Sequence, residues 1–91
     1  MNKLSKQIIV TGRVQGVGYR YSALQMAISL GIKGYIKNLT DGSVLIEAVA
    51  EKKQLDLFIQ WCKTGPSYAY VDNIEVNDIT LKNYSDFRIM H

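Results

Sequence analysis

At 91 residues, with 47% hydrophobic and 21% charged content, the sequence excludes a disordered chain and a multidomain one, so a single domain over residues 1–91 is expected. The net charge of +3 suits an anionic small-molecule substrate and is too small to argue for nucleic acid. One cysteine, Cys62, excludes an internal disulfide, the one histidine, His91, leaves no metal-ligand cluster, and no apolar run is long enough to span a membrane.

Residues 1–5 read as a short loose arm without the hydrophobic stretch of a signal peptide, which makes a cytoplasmic location and a monomer the default expectations. Residues 6–12, with the β-branched run Ile8-Ile9-Val10, predict the first strand. The glycine-bearing stretch from Gly12 to Arg20 follows as a loop, and a helix is predicted over residues 20–30. Leu24, Ala27 and Ile28 have the spacing of its buried stripe, and Gly31 stands just past its end as a terminator. Lys33 to Leu39 predicts a second strand, and Thr40-Asp41-Gly42 a hairpin turn into a third, on which Val44, Ile46 and Ala48 share one face and Glu47 lies on the other. Lys52 to Lys63 predicts a second helix with Leu55, Phe58, Ile59 and Cys62 on its apolar face. Cys62 there reads as core, not as a nucleophile. Trp61 is expected at the edge of that stripe, packed on the sheet. Gly65-Pro66 ends the helix, a loop carries Tyr68 and Tyr70, and strands are predicted over Val71 to Val76 and Phe87 to Met90. The order is β-α-β-β-α-β plus a short C-terminal strand. It predicts an α+β, ferredoxin-like sandwich: an antiparallel sheet with two helices on one face.

The strand-to-helix loop carries the chemistry. Glycines at positions 12, 16 and 18 permit φ > 0 and close approach of backbone N–H groups to a ligand. A helix N-terminus supplies unpaired N–H groups and partial positive charge, an arrangement suited to an anion. Arg20 falls in the first turn, where a cation opposes the macrodipole unless an anion is bound. The spacing fits neither the dinucleotide fingerprint nor the Walker loop. By itself it leaves open a tight turn with a solvated arginine. Lys37-Asn38, on the second strand, would come near the mouth of this loop, although Asn38 could equally cap the Asp-Gly turn.

Three blocks, Gly12-Arg13-Val14-Gln15-Gly16-Val17-Gly18-Tyr19-Arg20, Gly31-Ile32-Lys33-Gly34-Tyr35-Ile36-Lys37-Asn38 and Asp41-Gly42-Ser43-Val44, strongly resemble the acylphosphatases. Their pattern is G-x-V-Q-G-V-x-[FY]-R, then G-x-x-G-aromatic-V-x-N, then D-G-x-V. Leu55, Phe58, Trp61, Gly65-Pro66, Ala69 and Val71 extend the likeness over nearly the whole chain. The resemblance implies hydrolysis of acyl phosphates to carboxylate and phosphate without metal or cofactor. Carried over by position, Arg20 matches the phosphate-binding arginine, Asn38 the water-positioning asparagine, and the backbone of Gln15, Gly16, Val17, Gly18 and Tyr19 the phosphate cradle. Two departures stand out. Tyr35 replaces the common Trp, which is expected to change packing beside Asn38. Ala50-Glu51 replaces a Gly after the third strand, which bears on the turn into the second helix.

A carboxylate leaving group, with a conjugate-acid pKa near ~4–5, departs unprotonated, so the chemistry requires no general acid. Two other readings compete. The same strand order hosts RNA-binding modules, and Lys33-Gly34-Tyr35 opens like their aromatic motif, but on the second strand and not the third. A non-catalytic interaction domain is the other, since fold does not fix function. The expected partner is therefore a small acyl phosphate, with no nucleic acid and no membrane.

Overall fold

The computed structural model describes residues 2–91. The elements are β1 (Lys3–Arg13), α1 (Tyr19–Leu30), β2 (Lys33–Asn38), β3 (Val44–Glu51), α2 (Lys52–Cys62), β4 (Tyr70–Ile79) and β5 (Phe87–Met90). The five strands form one sheet in the order β4-β1-β3-β2-β5. As the ferredoxin-like plan requires, β1 and β3 are antiparallel neighbours at the centre and β2 pairs with β3. The sheet is mixed, however. β5 runs parallel to β2, with Ile36 opposite Ile89, so the expected all-antiparallel arrangement holds only for the other strand pairs.

Alternation along the strands builds the core. Ile8 and Val10 of β1, Ile36 of β2, and Val44, Ile46 and Ala48 of β3 are fully buried beneath both helices. From α2 they meet Leu55, Phe58 and Cys62, each 0% exposed. Ile59 is only half-buried at the margin of that stripe. The stripe of α1 is rotated from its expected position: Tyr19, Ala23 and Ala27 are buried, Leu24 is half-buried, and Ile28 is 63% exposed. Residues spaced by four keep one face, and small alanines let the helix lie close to the sheet, so the bulky Ile28 faces outward.

The strands are longer than the sequence suggests because their partners are long. Lys3, Leu4 and Ser5, expected in a loose arm, are zipped to Glu51, Ala50 and Val49 of β3, while Met1 of that arm lies outside the described residues. β4 begins at Tyr70 because it pairs along β1 to Arg13, across a bulge between Thr11 and Gly12. Trp61 is partly buried against the core, its ring centroid 5.3 Å from that of Tyr19 of α1 and 6.3 Å from that of Phe58. At Ala50-Glu51 the chain passes directly from β3 into α2, and the Glu51 N–H donates to Gln54 Oε1 at 3.0 Å, which satisfies a donor at the helix start.

Gly34, at φ 140, is the tightest backbone approach in the sheet: a Cβ there would stand 1.8 Å from the Glu47 carbonyl oxygen. Gly42 in the turn has φ 93 and open space around it. Gly34→Ala is therefore expected to lower stability by about 2–4 kcal/mol, and the melting temperature by about 10 °C or more. Gly42→Ala should cost distinctly less, carrying backbone strain of about 1–3 kcal/mol alone. Thermal melts of both variants check the order.

Candidate functional site

β1 ends at Arg13, and α1 begins after a five-residue loop. The loop between them is pinned at both ends by buried side chains, Val14 and Tyr19, each 1% exposed. Gly16 and Gly18 within it take left-handed conformations, φ 73 and 79. A Cβ at either would touch nothing within 4 Å, so conformation and not space selects glycine there. Gly18 is the N-cap of α1, which means the helix start has no capping side chain and no acidic residue in its first turn. Among the described residues, the N–H groups of Gln15 to Tyr19 donate to no backbone carbonyl outside the regular elements, and the first helical turn closes with Ser22 N–H on the Gly18 oxygen at 3.0 Å. The helix start thus keeps donors without a backbone acceptor, and the partial positive charge of the macrodipole lies at this end.

Arg20 is half-buried one residue into α1, and its Nη1 donates to the Met90 carbonyl at 3.3 Å. This single long contact leaves most of the guanidinium fork unused. Asn38, the last residue of β2, lies beside it. Arg20, Asn38, Gly16 and Gly18 line one cleft of about 260 Å³, walled by Val14, Tyr21 and Ile89 with His91 at its lip. Among the described residues, Asn38 Oδ1 is buried and accepts no hydrogen bond. An unsatisfied buried acceptor costs about 1–3 kcal/mol.

The alternative role for Asn38, capping the hairpin turn, is taken by another residue. Asp41 Oδ1 accepts from Ser43 N–H at 2.9 Å and from Ser43 Oγ at 2.5 Å. The hydroxyl and then the backbone donor of Ser43 hold the Asp41 carboxyl below its ordinary range. Asn38, which lines the cleft, has no part in that cap. Cys62 is no rival nucleophile: burial pushes its thiol up to about 12, and it is fully enclosed.

Some expectations about the surroundings change. Tyr35 does not pack beside Asn38. It alternates onto the opposite sheet face, opposite Glu47 of β3, with its ring 6.0 Å edge-on to Tyr84. Burial and the nearby Glu47 carboxylate raise its phenol pKa. Lys37 does not line the cleft, and Tyr68 and Tyr70 border a separate groove with Arg13. Conversely, Tyr21, Ile89 and His91 join the cleft unforeseen. No periodicity signals them, since Ile89 and His91 reach the cleft only because β5 lies parallel beside β2. The Gln15 side chain is also more than loop: its Nε2 reaches the β2–β3 turn.

The acylphosphatase family model matches residues 6–89. The chain is 46% identical over 88 residues to an acylphosphatase of Archaeoglobus fulgidus, covering 97% of this chain and 99% of that one. Its fold superposes on the crystal structure of acylphosphatase from Bacillus subtilis with a TM-score of 0.94 at 36% identity, over 97% and 99% of the two chains. It also matches part of full-length HypF, in a phosphate- and nucleotide-bound structure, with a TM-score of 0.88 at 31% identity, covering 99% of this chain and 12% of that one. The motif-bearing loop, the strand order and these full-length matches agree, and the chain belongs to the acylphosphatase family.

Proposed function

We propose that this acylphosphatase hydrolyses small acyl phosphates in the Arg20–Asn38 cleft, with the phosphoryl group seated on the Gln15–Tyr19 backbone and water held by Asn38. The observation that carries the reading is the buried, unpartnered Oδ1 of Asn38 in the same cleft as an uncapped helix start and an underused arginine. An acceptor with no protein donor is suited to a water molecule, and unpaired N–H donors are suited to phosphoryl oxygens.

The N–H groups of Gln15, Gly16, Val17, Gly18 and Tyr19 hold the phosphoryl oxygens, and Arg20 turns its planar fork to two of them. These donors are set before the reaction and stay in place as charge shifts in the transition state. The Asn38 Oδ1 accepts from a water and holds it for in-line approach to phosphorus. The water oxygen bonds to phosphorus as the bond from phosphorus to the acyl oxygen breaks. The carboxylate leaves with the electron pair, and a phosphoryl oxygen takes the water's proton. One chain supplies every group in this scheme.

The test is turnover of acetyl or benzoyl phosphate by the purified protein with chelator present. Chelator-resistant hydrolysis is expected, and its absence in a folded protein would end this reading. Arg20→Lys should lose about 100-fold or more in kcat/KM while the melting temperature holds, because a point charge cannot replace a bidentate fork. Wild-type turnover by that variant would remove Arg20 from the mechanism. Asn38→Ala should lower kcat by about 10- to 100-fold while inhibition by inorganic phosphate changes little, because the residue holds water and not the phosphoryl group. Normal turnover with weakened phosphate inhibition would contradict that assignment.

A further inference from the structure

We propose that the Gln15 side chain is a positioning residue, one that clamps the phosphate loop to the β2–β3 turn and so sets the distance between the bound phosphoryl group and the water at Asn38. The inference rests on the mechanism proposed above and adds a role that the backbone cradle does not contain. Gln15 Nε2 donates to two carbonyls at once, Leu39 O and Ser43 O, each at 2.8 Å. These two residues close the turn: Leu39 N–H donates to Ser43 O at 2.8 Å, and Gly42 N–H donates to Leu39 O at 3.2 Å. Asp41 and the buried Ser43 brace the same turn from within. Leu39 is bonded directly to Asn38, so one side chain ties the cradle to the residue carrying the water site.

The clamp is needed because the loop is weakly held between its ends. Val14 and Tyr19 are fully buried at its ends, whereas Val17 is only partly buried against the core and is flanked by the left-handed Gly16 and Gly18. A neutral carboxamide suits the position, since its NH₂ group has two donors for two carbonyl oxygens. A carboxylate there would set an acceptor against two acceptors. The opposed halves of the site are thus held in register by a bridge that touches neither substrate nor water. A misplacement of about 1 Å in such a geometry can cost about 100-fold in rate.

A double-mutant cycle with benzoyl phosphate tests the proposal. Gln15→Met keeps the length and removes both donors. It is expected to lower kcat by about 10- to 100-fold while the inhibition constant for inorganic phosphate stays within about threefold. In an Asn38→Ala background the same substitution should cost less than about threefold, because its effect passes through Asn38. An equal loss in both backgrounds, or no loss in the wild-type background, would overturn the clamp. Normal turnover by Asn38→Ala alone would overturn the underlying mechanism and the clamp with it, so the two failures are distinguishable. If Gln15→Met does not melt cooperatively, Gln15→Glu takes its place in the cycle. Failure of both to fold would make Gln15 a requirement of the fold and would also overturn the proposal.

Discussion

The buried hydroxyl of Tyr19 fixes the helix start on which the rest of the site depends. Tyr19 is the first residue of α1 and is 1% exposed, and its hydroxyl donates to the Cys62 carbonyl at the end of α2, 2.8 Å away. Its ring lies against Trp61, and Gly65 passes so close that a Cβ there would stand 2.7 Å from the ring. Burial, above all, pushes the phenol pKa upward, which favours the neutral, donating form. A buried donor without its acceptor would cost about 1–3 kcal/mol, which keeps the two helices in one relative position. The N-terminus of α1 is thereby fixed against α2 and the core, while its own N–H groups are left unused.

That rigidity makes the electrostatics effective. Unpaired N–H groups on a mobile loop would be reoriented by each bound anion, at a cost in ordering. Val14 at one end and Tyr19 at the other are held by burial, so in the proposed mechanism the N–H groups between them are set before anything binds. Arg20 follows immediately, so its guanidinium is delivered to the same cleft by the same helical turn. In the proposed mechanism an anion at the helix start would offset its unfavourable position against the helix macrodipole, which would couple the charge of the site to its occupancy. The fold contributes the platform, and the loop contributes a field with little flexibility of its own.

Much of this was legible in the sequence, and the part that was not has identifiable physical causes. Alternation placed Val44, Ile46 and Ala48 on one buried face correctly, because a strand's two-residue period leaves little choice once one face is apolar. In the stripe of α1 Ala27 was placed correctly, but Leu24 and Ile28 were favoured by hydrophobicity alone, whereas close packing on a sheet favours the small Ala23 beside Ala27. The direction of β5 could not be read locally: a four-residue strand pairs parallel or antiparallel according to where the preceding loop delivers it. The same holds for Ile89 and His91 at the cleft, which sequence distance separates from the loop they face. Arg20, Asn38 and the glycine loop were visible because a local motif carries them. The carboxamide bridge of Gln15 was not, since it spans from the loop to Leu39 and Ser43 across the fold.

The turn after β2 shows how an unsatisfied group can be kept in a small protein. A chain of this size has about 5–15 kcal/mol of net stability, so an orphan acceptor worth about 1–3 kcal/mol is a large fraction of it. An asparagine next to an Asp-Gly turn would ordinarily relieve the cost by bonding to nearby backbone. Here both donors of Ser43 go to Asp41 Oδ1, and the Leu39 and Gly42 N–H groups donate to the Ser43 and Leu39 carbonyls. These turn donors are therefore engaged elsewhere, and the Oδ1 of Asn38, a residue that lines the cleft, accepts no hydrogen bond. In the proposed mechanism that unsatisfied acceptor is what a water molecule would satisfy on the reaction path, so the polar network around the turn keeps Asn38 poised by meeting every competing demand first.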